Sequence, residues 1–489
     1  MTSKSTKRAL ITSALAILMC AAMLIGATFA WFTDTASTGV NKIVSGNLKV
    51  DIIGADSDSH IEKLNFTKAA TTDAEAGAEI LWEPGCRYLT EGFRIANKGN
   101  LALKWKAQVN TGTTAANEGN FDLLDVIDFY LVTKAADGTE TETALDEFTG
   151  NLKKTETSDV YYIKGVMQTT AGNDYQGLTL DGISITVVAT QDTVESDSFD
   201  NQYDKDAEYP ILVTTGDELQ AIVSNATAPV NIVLTNSITT NNFVIPEDKD
   251  VTLDLNGRTV TNAGSHTILN QGHLTLTDSS ADKSGQIISL KGNTAALRNG
   301  DNAVCVVEGG TISRDGANGN TWHVVENFGK MTFNGGKVVL KNGNGFAITN
   351  GWNYFDPGAS TTHAVMEINA LELDTDSSGI KNCRYGDLTV NDVTVTSTGY
   401  WALSNDYLGT AVINGGTLTS NSFKAVSNGA AMTVNGGTFN GTEGLFVQSY
   451  ATSTVLNGGT FANMNVNALS SYVGTGHTAQ QSGTSVIIK

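Results

Sequence analysis

The chain has 489 residues, of which 40% are hydrophobic and 17% are charged, and its formal net charge at pH 7 is −21. So much negative charge repels nucleic acids and anionic membrane surfaces, and neither is expected as a partner. It favours the solubility of a large, exposed protein.

The first 30 residues have the features of a secretory signal peptide. Basic residues near the start precede an apolar run over 9–30, and Thr28 and Ala30 are small residues at the positions that a signal peptidase reads. Cleavage after Ala30 gives a secreted chain that begins at Trp31 and keeps no membrane segment. Because the run is long enough to cross a bilayer, an uncleaved anchor is the alternative.

Residues 31–205 are predicted to form a β-sandwich domain. The segments 46–52, 101–107 and 178–187 alternate between apolar and polar residues, which is typical of strands with one buried face. Strands at this spacing, with turn residues between them, favour an antiparallel sandwich.

Residues 206–229 are predicted to be a linker and a cap. The acidic and polar stretch over 191–209 suits a linker. A helical pattern over 215–224 is expected to cover the first rung of the region that follows.

Two columns of repeated residues run through 230–489. In the first, a small or branched residue and an aliphatic residue precede any residue and then an asparagine, and these asparagines are Asn270, Asn299, Asn327, Asn350, Asn382, Asn405 and Asn428. The second column consists of Asn-Gly-Gly or Glu-Gly-Gly, and its triplets begin at Glu308, Asn334, Asn414, Asn435 and Asn457.

Two turn signals per repeat, with short β-branched segments between them, predict the rung of a solenoid, because one repeat cannot bury its apolar face alone. Gly-Gly permits a left-handed corner, and a stacked asparagine can hydrogen-bond its equivalent one rung away. We expect a right-handed parallel β-helix of about ten or eleven rungs over 230–489. Leu403 and Val426 should point inward at equivalent positions of adjacent rungs.

Five short segments of the first 200 residues stand in a characteristic order: GATFAWFTD (26–34), SGNL (45–48), EPG (83–85), FRIANKGNLA (93–102) and VVATQ (187–191). In this order they resemble the TasA/camelysin family, whose members are secreted after cleavage by a dedicated signal peptidase of the SipW type. The resemblance implies a jelly-roll fold for 31–205 and a role in extracellular matrix or biofilm fibres. It also implies homopolymers formed by donor-strand exchange, in which the mature N-terminal strand over 31–40 completes the sheet of the next subunit. Cys86, where a polar residue is usual, and the large β-helix depart from the family pattern.

Camelysin-like proteins are also classed as metallopeptidases. Zinc-dependent hydrolysis needs clustered His and carboxylate ligands, but the first domain has one histidine, His60, and the chain has no His-Glu-x-x-His motif. Cys86, Cys305 and Cys383 form no metal-binding spacing, and the last two are expected to fill the core. Neither a metal nor another cofactor is therefore predicted.

Aromatic residues flank the first asparagine column, and stacking would align several of them along one edge. Exposed rings suit carbohydrate faces, and aromatic residues are favoured at recognition sites. A segment around Tyr354 resembles an excursion from its rung. The alternative is that the rings shield the core at the corners. The candidate ligand residues are Trp352, Tyr354, Trp401, Tyr385 and Tyr407.

These features predict a secreted, non-enzymatic protein of the cell surface or biofilm matrix, with structural and adhesive roles. Its partners would be an extracellular polysaccharide, a matrix or cell-surface protein, or further copies of the chain. The alternative is a polysaccharide lyase or glycoside hydrolase, which needs paired carboxylates or a basic group at one site. The residues from which such a site could be assembled, or which are simply solvated, are Asp374, Asp376, Asp387, Asp392, Lys381 and Arg384.

Overall fold

A computed structural model describes residues 48–61, 64–67, 82–110, 113–114, 121–145, 148–181, 184–192, 208–317, 321–352 and 362–489. The predicted signal peptide and the predicted N-terminal strand over 31–40 lie outside the described residues. With 49% strand and 6% helix, the structure confirms the predicted all-β class.

The second half of the chain is a parallel β-solenoid of about ten turns. Each complete rung has three strands, and each strand pairs in parallel with its equivalent in the next rung, so that three long sheets run along the solenoid. We number the sheets in the order in which the chain enters them.

Sheet 1 contains β13 (Ile211–Val213), β14 (Val230–Leu234), β17 (Asp250–Asp254), β20 (His273–Thr277), β23 (Val304–Val307), β26 (Lys330–Phe333), β29 (Ala364–Ile368), β32 (Gly386–Val390), β35 (Thr410–Ile413), β38 (Ala431–Val434) and β41 (Ser453–Leu456). Sheet 2 contains β15 (Ile238–Thr240), β18 (Thr259–Asn262), β21 (Gln286–Ser289), β24 (Thr311–Asp315), β27 (Lys337–Lys341), β30 (Glu372–Thr375), β33 (Thr394–Ser397), β36 (Thr417–Ser420), β39 (Thr438–Asn440), β42 (Gly459–Phe461), β43 (Ala479–Ser482) and β44 (Ser485–Ile488). Sheet 3 contains β16 (Phe243–Ile245), β19 (Ile268–Asn270), β22 (Leu297–Asn299), β25 (Val325–Asn327), β28 (Phe346–Asn350), β31 (Ser378–Asn382), β34 (Leu403–Asn405), β37 (Val426–Asn428) and β40 (Leu445–Val447).

The first domain is built from antiparallel strands. They are β1 (Val50–Gly54), β2 (Phe66–Thr67), β3 (Arg87–Thr90), β4 (Phe93–Asn97), β5 (Leu103–Asn110), β6 (Thr113–Thr114), β7 (Ile127–Lys134), β8 (Glu140–Ala144), β9 (Phe148–Leu152), β10 (Tyr161–Met167), β11 (Leu180–Asp181) and β12 (Ser184–Gln191). A seven-stranded sheet has the order β1-β4-β10-β3-β2, with β7 on β10 and β8 on β7, and a three-stranded sheet has the order β12-β5-β9. Strands β6 and β11 pair with each other, and short 3-10 helices cover Leu123–Asp125 and Asn173–Tyr175.

The two larger sheets of the first domain share one core. Phe93 and Ile95 from β4 and Leu103 and Trp105 from β5 are at most 1% exposed and belong to one apolar cluster. This arrangement is that of two sheets packed face to face. The jelly-roll connectivity stays a prediction.

The predicted stacking register of the solenoid is confirmed. Leu403 pairs with Val426 in the next rung, and both side chains are at most 1% exposed. Inward-facing side chains of all three sheets form one apolar cluster that extends from Val213 to Ile488. Each rung therefore buries its apolar face against its neighbours, as the repeat length requires.

The first asparagine column is a buried ladder. From Asn270 to Asn428, the Nδ2 of each asparagine donates to the Oδ1 of the asparagine in the next rung, at 2.7–2.9 Å. The Nδ2 of Asn428 ends the ladder on the hydroxyl of Thr454, at 2.8 Å. Every amide also donates to a main-chain carbonyl oxygen, so these buried polar groups are satisfied.

The second column forms another ladder, which is exposed or half-buried and runs in the opposite direction. Each of its Nδ2 groups donates to the Oδ1 of the preceding rung at 2.7–2.9 Å, and the last one, from Asn334, donates to the carboxylate of Glu308 at 2.8 Å. Asn369 and Asn391 belong to this ladder although no Gly-Gly follows them. In the place of the second glycine these two rungs have Leu371 and Val393, whose buried side chains extend the core.

The third corner, between sheets 2 and 3, has no repeated motif and was not foreseen as a separate turn. Inward polar side chains at the ends of the sheet 2 strands hold it by bonding its carbonyl groups. The hydroxyl of Ser420 donates to Tyr400 O, for example, and Arg314, which is 1% exposed, donates to Lys291 O at 2.9 Å and to the hydroxyl of Ser289 at 2.7 Å. Polar side chains of different length can bond the carbonyl groups of loops of different length, so the length of this corner varies from rung to rung.

Both ends of the solenoid are capped. Helix α1 (Gly216–Asn225) lies at the first end, with Leu219 and Val223 fully buried over the first rungs. The amide of Gln220 accepts from Val244 N at 2.9 Å and donates to Val244 O at 3.0 Å, so it pairs with the edge strand β16 as a neighbouring strand would.

At the other end, β44 pairs antiparallel with β42, and β43 covers β44. Helix α2 (Val466–Leu469) and the 3-10 helix Ser470–Tyr472 lie beside this hairpin. The parallel stacking stops here because an antiparallel strand does not continue the rung.

The ladder predicts a large difference between two asparagine substitutions. Asn405→Ala removes a buried amide together with its hydrogen bonds to Asn382, Asn428 and Ala431 O, so we expect the free energy of unfolding to fall by about 3 kcal/mol. Asn414→Ala removes an exposed amide that bonds the asparagines of the two adjacent rungs, Asn391 and Asn435. This change should lower the free energy of unfolding by about 1 kcal/mol or less. Chemical denaturation of both variants measures the difference, and equal losses would contradict the role of the buried ladder.

Candidate functional site

The predicted ligand residues lie at the two corners that border sheet 3. Trp401 precedes β34, whereas Trp352, Tyr385 and Tyr407 follow β28, β31 and β34. Tyr354 lies outside the described residues. Stacking therefore places four of the five predicted residues around the outer side of one sheet, which we call the sheet 3 face.

Outward side chains of the sheet 3 strands form the floor of this face. In consecutive rungs they are Leu269, Arg298, Glu326, Thr349, Lys381, Ser404, Ser427 and Phe446. Arg298 Nη1 lies 2.9 Å from Glu326 Oε2, and Trp322 Nε1 donates to the other carboxylate oxygen at 3.0 Å. Because Glu326 is only 4% exposed, these two donors offset the lost hydration of its charge.

Four cations of the face lie against aromatic rings. The distance to the ring centroid is 4.5 Å for Arg298 and Phe328, 5.2 Å for Lys381 and Phe346, 5.7 Å for Arg384 and Tyr407, and 3.6 Å for Lys424 and Phe446. Carboxylates lie close to these cations as well, at 2.9 Å from Arg298 to Glu326, 3.0 Å from Lys381 to Asp406 and 3.0 Å from Lys424 to Glu443. The contacts orient the rings and balance the charges, so the face offers ordered aromatic groups and little net positive charge.

Trp401 is a packing residue at the corner before sheet 3. Its ring lies edge-on to Phe423 at 4.7 Å and stacks with Phe446 at 6.0 Å between centroids. The ring is half-buried, so one part contacts the corner and the other faces solvent.

Trp352 is not exposed, which corrects the expectation for this residue. Only 7% of it is accessible, and its ring packs on Phe328 at 4.7 Å. Its main-chain N–H donates to Arg384 O at 3.0 Å and ties the corner to the next rung. Trp352 therefore shields the core, because its neighbours in the stack cover the ring that a sugar would need.

Tyr407 and Tyr385 occupy the corner after sheet 3 in adjacent rungs. Tyr407 is 47% exposed. Tyr385 is half-buried, with its ring 5.7 Å from that of His363, whose Nδ1 lies 3.0 Å from the carboxylate of Asp387. Of the four predicted residues that the structure describes, Tyr407 is the most exposed.

The same corner also exposes the large apolar or aromatic side chains of Tyr450 and Leu408, which are not among the predicted ligand residues. Tyr450 is 54% exposed and Leu408 is 39% exposed. Counting along the turn from each asparagine of the buried ladder would have identified Leu408, because it occupies the same turn position as Tyr385.

The residues proposed for a hydrolase or lyase do not form one site. Asp374 is on sheet 2 and binds Lys341 at 2.8 Å, whereas Asp387 is on sheet 1 and Lys381 is on sheet 3. Asp376 accepts from the main-chain N–H of Asn342, which is a turn contact. Asp374, Asp387 and Lys381 thus belong to three sheets that face in different directions.

Titratable groups of the solenoid interior have shifted pKa values. Burial lowers the pKa of His266 and His323 and raises the pKa of Cys305 and Cys383 to about 12. Both cysteines are at most 1% exposed, which confirms that they fill the core. Over the part of the chain that the structure describes, no group of three or more His, Cys, Asp or Glu residues is placed to bind a metal ion.

The first domain has a cleft of about 790 Å³ beside β3 and β10. Lys164 in its lining lies 2.6 Å from Glu142 and 3.2 Å from Glu140, and the hydrogen bond to Glu142 raises the pKa of Lys164. The ammonium group of Lys134 lies 4.6 Å over the ring of Tyr162. With its charges paired in this way, the cleft favours no ligand of one charge.

No protein-family model matches this sequence, and comparisons with curated proteins and with solved structures give no match. Within the described ranges, no helix is both long enough and apolar enough to cross a membrane.

The two roles of the aromatic residues predict losses of stability of different size. Trp352→Ala should leave a cavity against Phe328 and lower the free energy of unfolding by about 3 kcal/mol. Tyr407→Ala removes a half-exposed ring and should change it by about 0.5 kcal/mol. Thermal and chemical unfolding test this, and a loss at Tyr407 as large as that at Trp352 would make Tyr407 a shield as well.

Proposed function

We propose that the chain is a secreted protein of the cell surface or biofilm matrix, with structural and adhesive roles. Its solenoid, a right-handed β-helix in this proposal, offers a binding face to extracellular polysaccharide or to a matrix protein. The observation that carries the proposal is the exposure of Tyr407 beside the ordered rings of the sheet 3 face. The resemblance of the first 200 residues to the TasA/camelysin family supports secretion and a jelly-roll first domain.

The form of the solenoid supports a scaffold role. Its polar groups bond to one another along both asparagine ladders, and its apolar residues form one continuous cluster. Such a framework holds surface residues in fixed positions without help from a ligand. Rigid elements that carry variable surface turns are a common basis for recognition.

The first domain is joined to the first rungs by direct contacts. Asn110 Nδ2 donates to Thr235 O at 3.0 Å, and Arg258 Nη2 donates to the hydroxyl of Ser184 at 3.1 Å. Burial lowers the pKa of Arg258. In the proposal these contacts transmit the position of an anchored first domain to the binding face.

In the mode of assembly that the family resemblance implies, the first domains of several copies bind one another. Caps at both ends disfavour end-to-end stacking of solenoids. Among the strands that the structure describes, β12 lies at an end of the three-stranded sheet, and its eight residues include no charged side chain. An uncharged edge strand is a template for strand addition, which supports donor-strand exchange as the mode of assembly.

Processing and binding are tested on protein recovered from the culture medium. Its mass should correspond to a chain that begins at Trp31, and at least one of a panel of extracellular polysaccharides should retain it without new reducing ends or unsaturated products. Retention of residues 1–30 would contradict processing, and loss of all retention would contradict adhesion to polysaccharide. New products would favour the lyase or hydrolase alternative.

Donor-strand exchange predicts that residues 31–40 are needed for filaments but not for folding. Deleting them should abolish filaments in electron micrographs and leave the circular dichroism of the folded monomer unchanged. A variant with the same ten residues in scrambled order controls for length and composition. Filaments that persist after the deletion would contradict this mode, and an intact protein without filaments would favour a display role.

A further inference from the structure

Two adjacent rungs hold bulky residues in a strained backbone conformation. In three rungs, the turn that follows the asparagine of the buried ladder places its third residue in the left-handed region, and in the rung of Asn299 this residue is Asn302, with φ of 63°. The equivalent residues after Asn382 and Asn405 are Tyr385, with φ of 57°, and Leu408, with φ of 63°. Asparagine and glycine tolerate this conformation, whereas other residues lose roughly 1–2 kcal/mol in it.

The strain is not required by the fold. The rung of Asn302 makes the same turn without a bulky residue. The equivalent hydrogen bonds of the three turns run from Ala303 N to Gly300 O, from Gly386 N to Cys383 O and from Gly409 N to Asp406 O. An asparagine or glycine would therefore suit either rung better. Strained residues that persist at a surface turn indicate that their side chains are used there.

A third ring continues the same corner. Gly429 follows Asn428, and a Cβ atom built on it would lie 2.7 Å from Cε2 of Tyr450, which belongs to the following rung. The ring of Tyr450 therefore rests on the main chain of Gly429. The backbone of Gly429 is not left-handed, so the glycine is needed here for space and not for its conformation.

Tyrosine rings thus stand at three consecutive levels of the solenoid. Tyr385 and Tyr407 belong to the rungs of Asn382 and Asn405, and Tyr450 leans back to the level of Asn428, which pairs directly with Asn405. Adjacent levels are about 4.8 Å apart. This repeat is close to the length that one pyranose residue adds to an extended chain.

We infer that Tyr385, Tyr407, Leu408 and Tyr450, which we call the tyrosine ridge, bind a neutral linear polysaccharide that lies along the solenoid axis, with one sugar at each level. The inference rests on the proposed function and specifies its ligand. Ring faces and phenolic hydroxyls match the C–H faces and hydroxyls of sugars. The guanidinium group of Arg384 lies on the Tyr407 ring, and the ridge residues carry no charge.

A neutral ligand follows from the electrostatics of the whole chain. With a net charge of −21, the protein repels a polyanion before it reaches the ridge. The cations of the sheet 3 face do not reverse this effect, because Lys381 and Lys424 are already paired with carboxylates. An uncharged polymer meets no such barrier.

The first test measures the retardation of the protein, prepared from Trp31 onward, in native gels that contain hydroxyethyl cellulose, laminarin or polygalacturonate. Tyr407→Ala and Tyr450→Ala should each weaken binding to a neutral polymer about tenfold. Tyr400→Ala is the matched control, since Tyr400 is 57% exposed but lies at the other corner, against Phe423. It should bind as the parent does.

The second test uses positions that act on the ridge indirectly. Gly429→Leu should displace the Tyr450 ring and weaken binding as much as Tyr450→Ala, and the double variant should be no weaker than either. Leu408→Asn should raise the melting temperature, since it relieves strain, and should weaken binding. If Leu408 does not contact the polysaccharide, the variant should be more stable and bind as the parent does, which would contradict its place in the ridge.

The outcomes separate the ridge from the general proposal. If the parent protein binds none of the polymers, adhesion to polysaccharide fails and the ridge fails with it. If the parent binds and the ridge variants bind equally well, only the ridge assignment is overturned. Tighter, ridge-dependent binding of polygalacturonate would overturn the neutral class of ligand.

Discussion

Stacking in register is the constraint on which the rest of the solenoid depends. A rung of three short strands cannot bury its apolar side chains alone, so each rung needs identical neighbours. Stacking also places equal residues above one another, and a buried asparagine then has no partner except the asparagine of the adjacent rung and nearby carbonyl groups. The ladder from Asn270 to Asn428 meets this demand and joins consecutive rungs by polar as well as apolar contacts.

The ladders also decide where variation is tolerated. They fix two corners, with amides that donate in opposite directions, so the dipoles of the two columns oppose each other. The residues directly after Asn382 and Asn405 are then free to differ from rung to rung, because the asparagine alone holds the start of each turn. This explains how strained residues such as Tyr385 and Leu408 persist in a framework that is otherwise regular.

Aromatic residues at one corner have two different roles. Trp352 is covered by its neighbours and closes the core, whereas Tyr407 and Tyr450 extend from the turns, and Gly429 makes room for the second of them. Similar positions relative to the ladder therefore do not imply similar roles. The distinction depends on whether an adjacent rung supplies a ring such as Phe328 to cover the side chain.

The sequence by itself determined the all-β class, the parallel solenoid and the inward position of Leu403 and Val426, because periodic stacking leaves a periodic pattern. It did not reveal that each rung has three strands, since the corner between sheets 2 and 3 is held by inward polar side chains of varied type. It did not assign Asn369 and Asn391 to the exposed ladder, because buried Leu371 and Val393 replace the glycines there. Nor did it separate Trp352 from Tyr407, or place the enzymatic candidates Asp374, Asp387 and Lys381 on three sheets. Only the tertiary structure decided these points, because the exposure and direction of a side chain depend on neighbours one rung away, more than twenty residues distant along the chain.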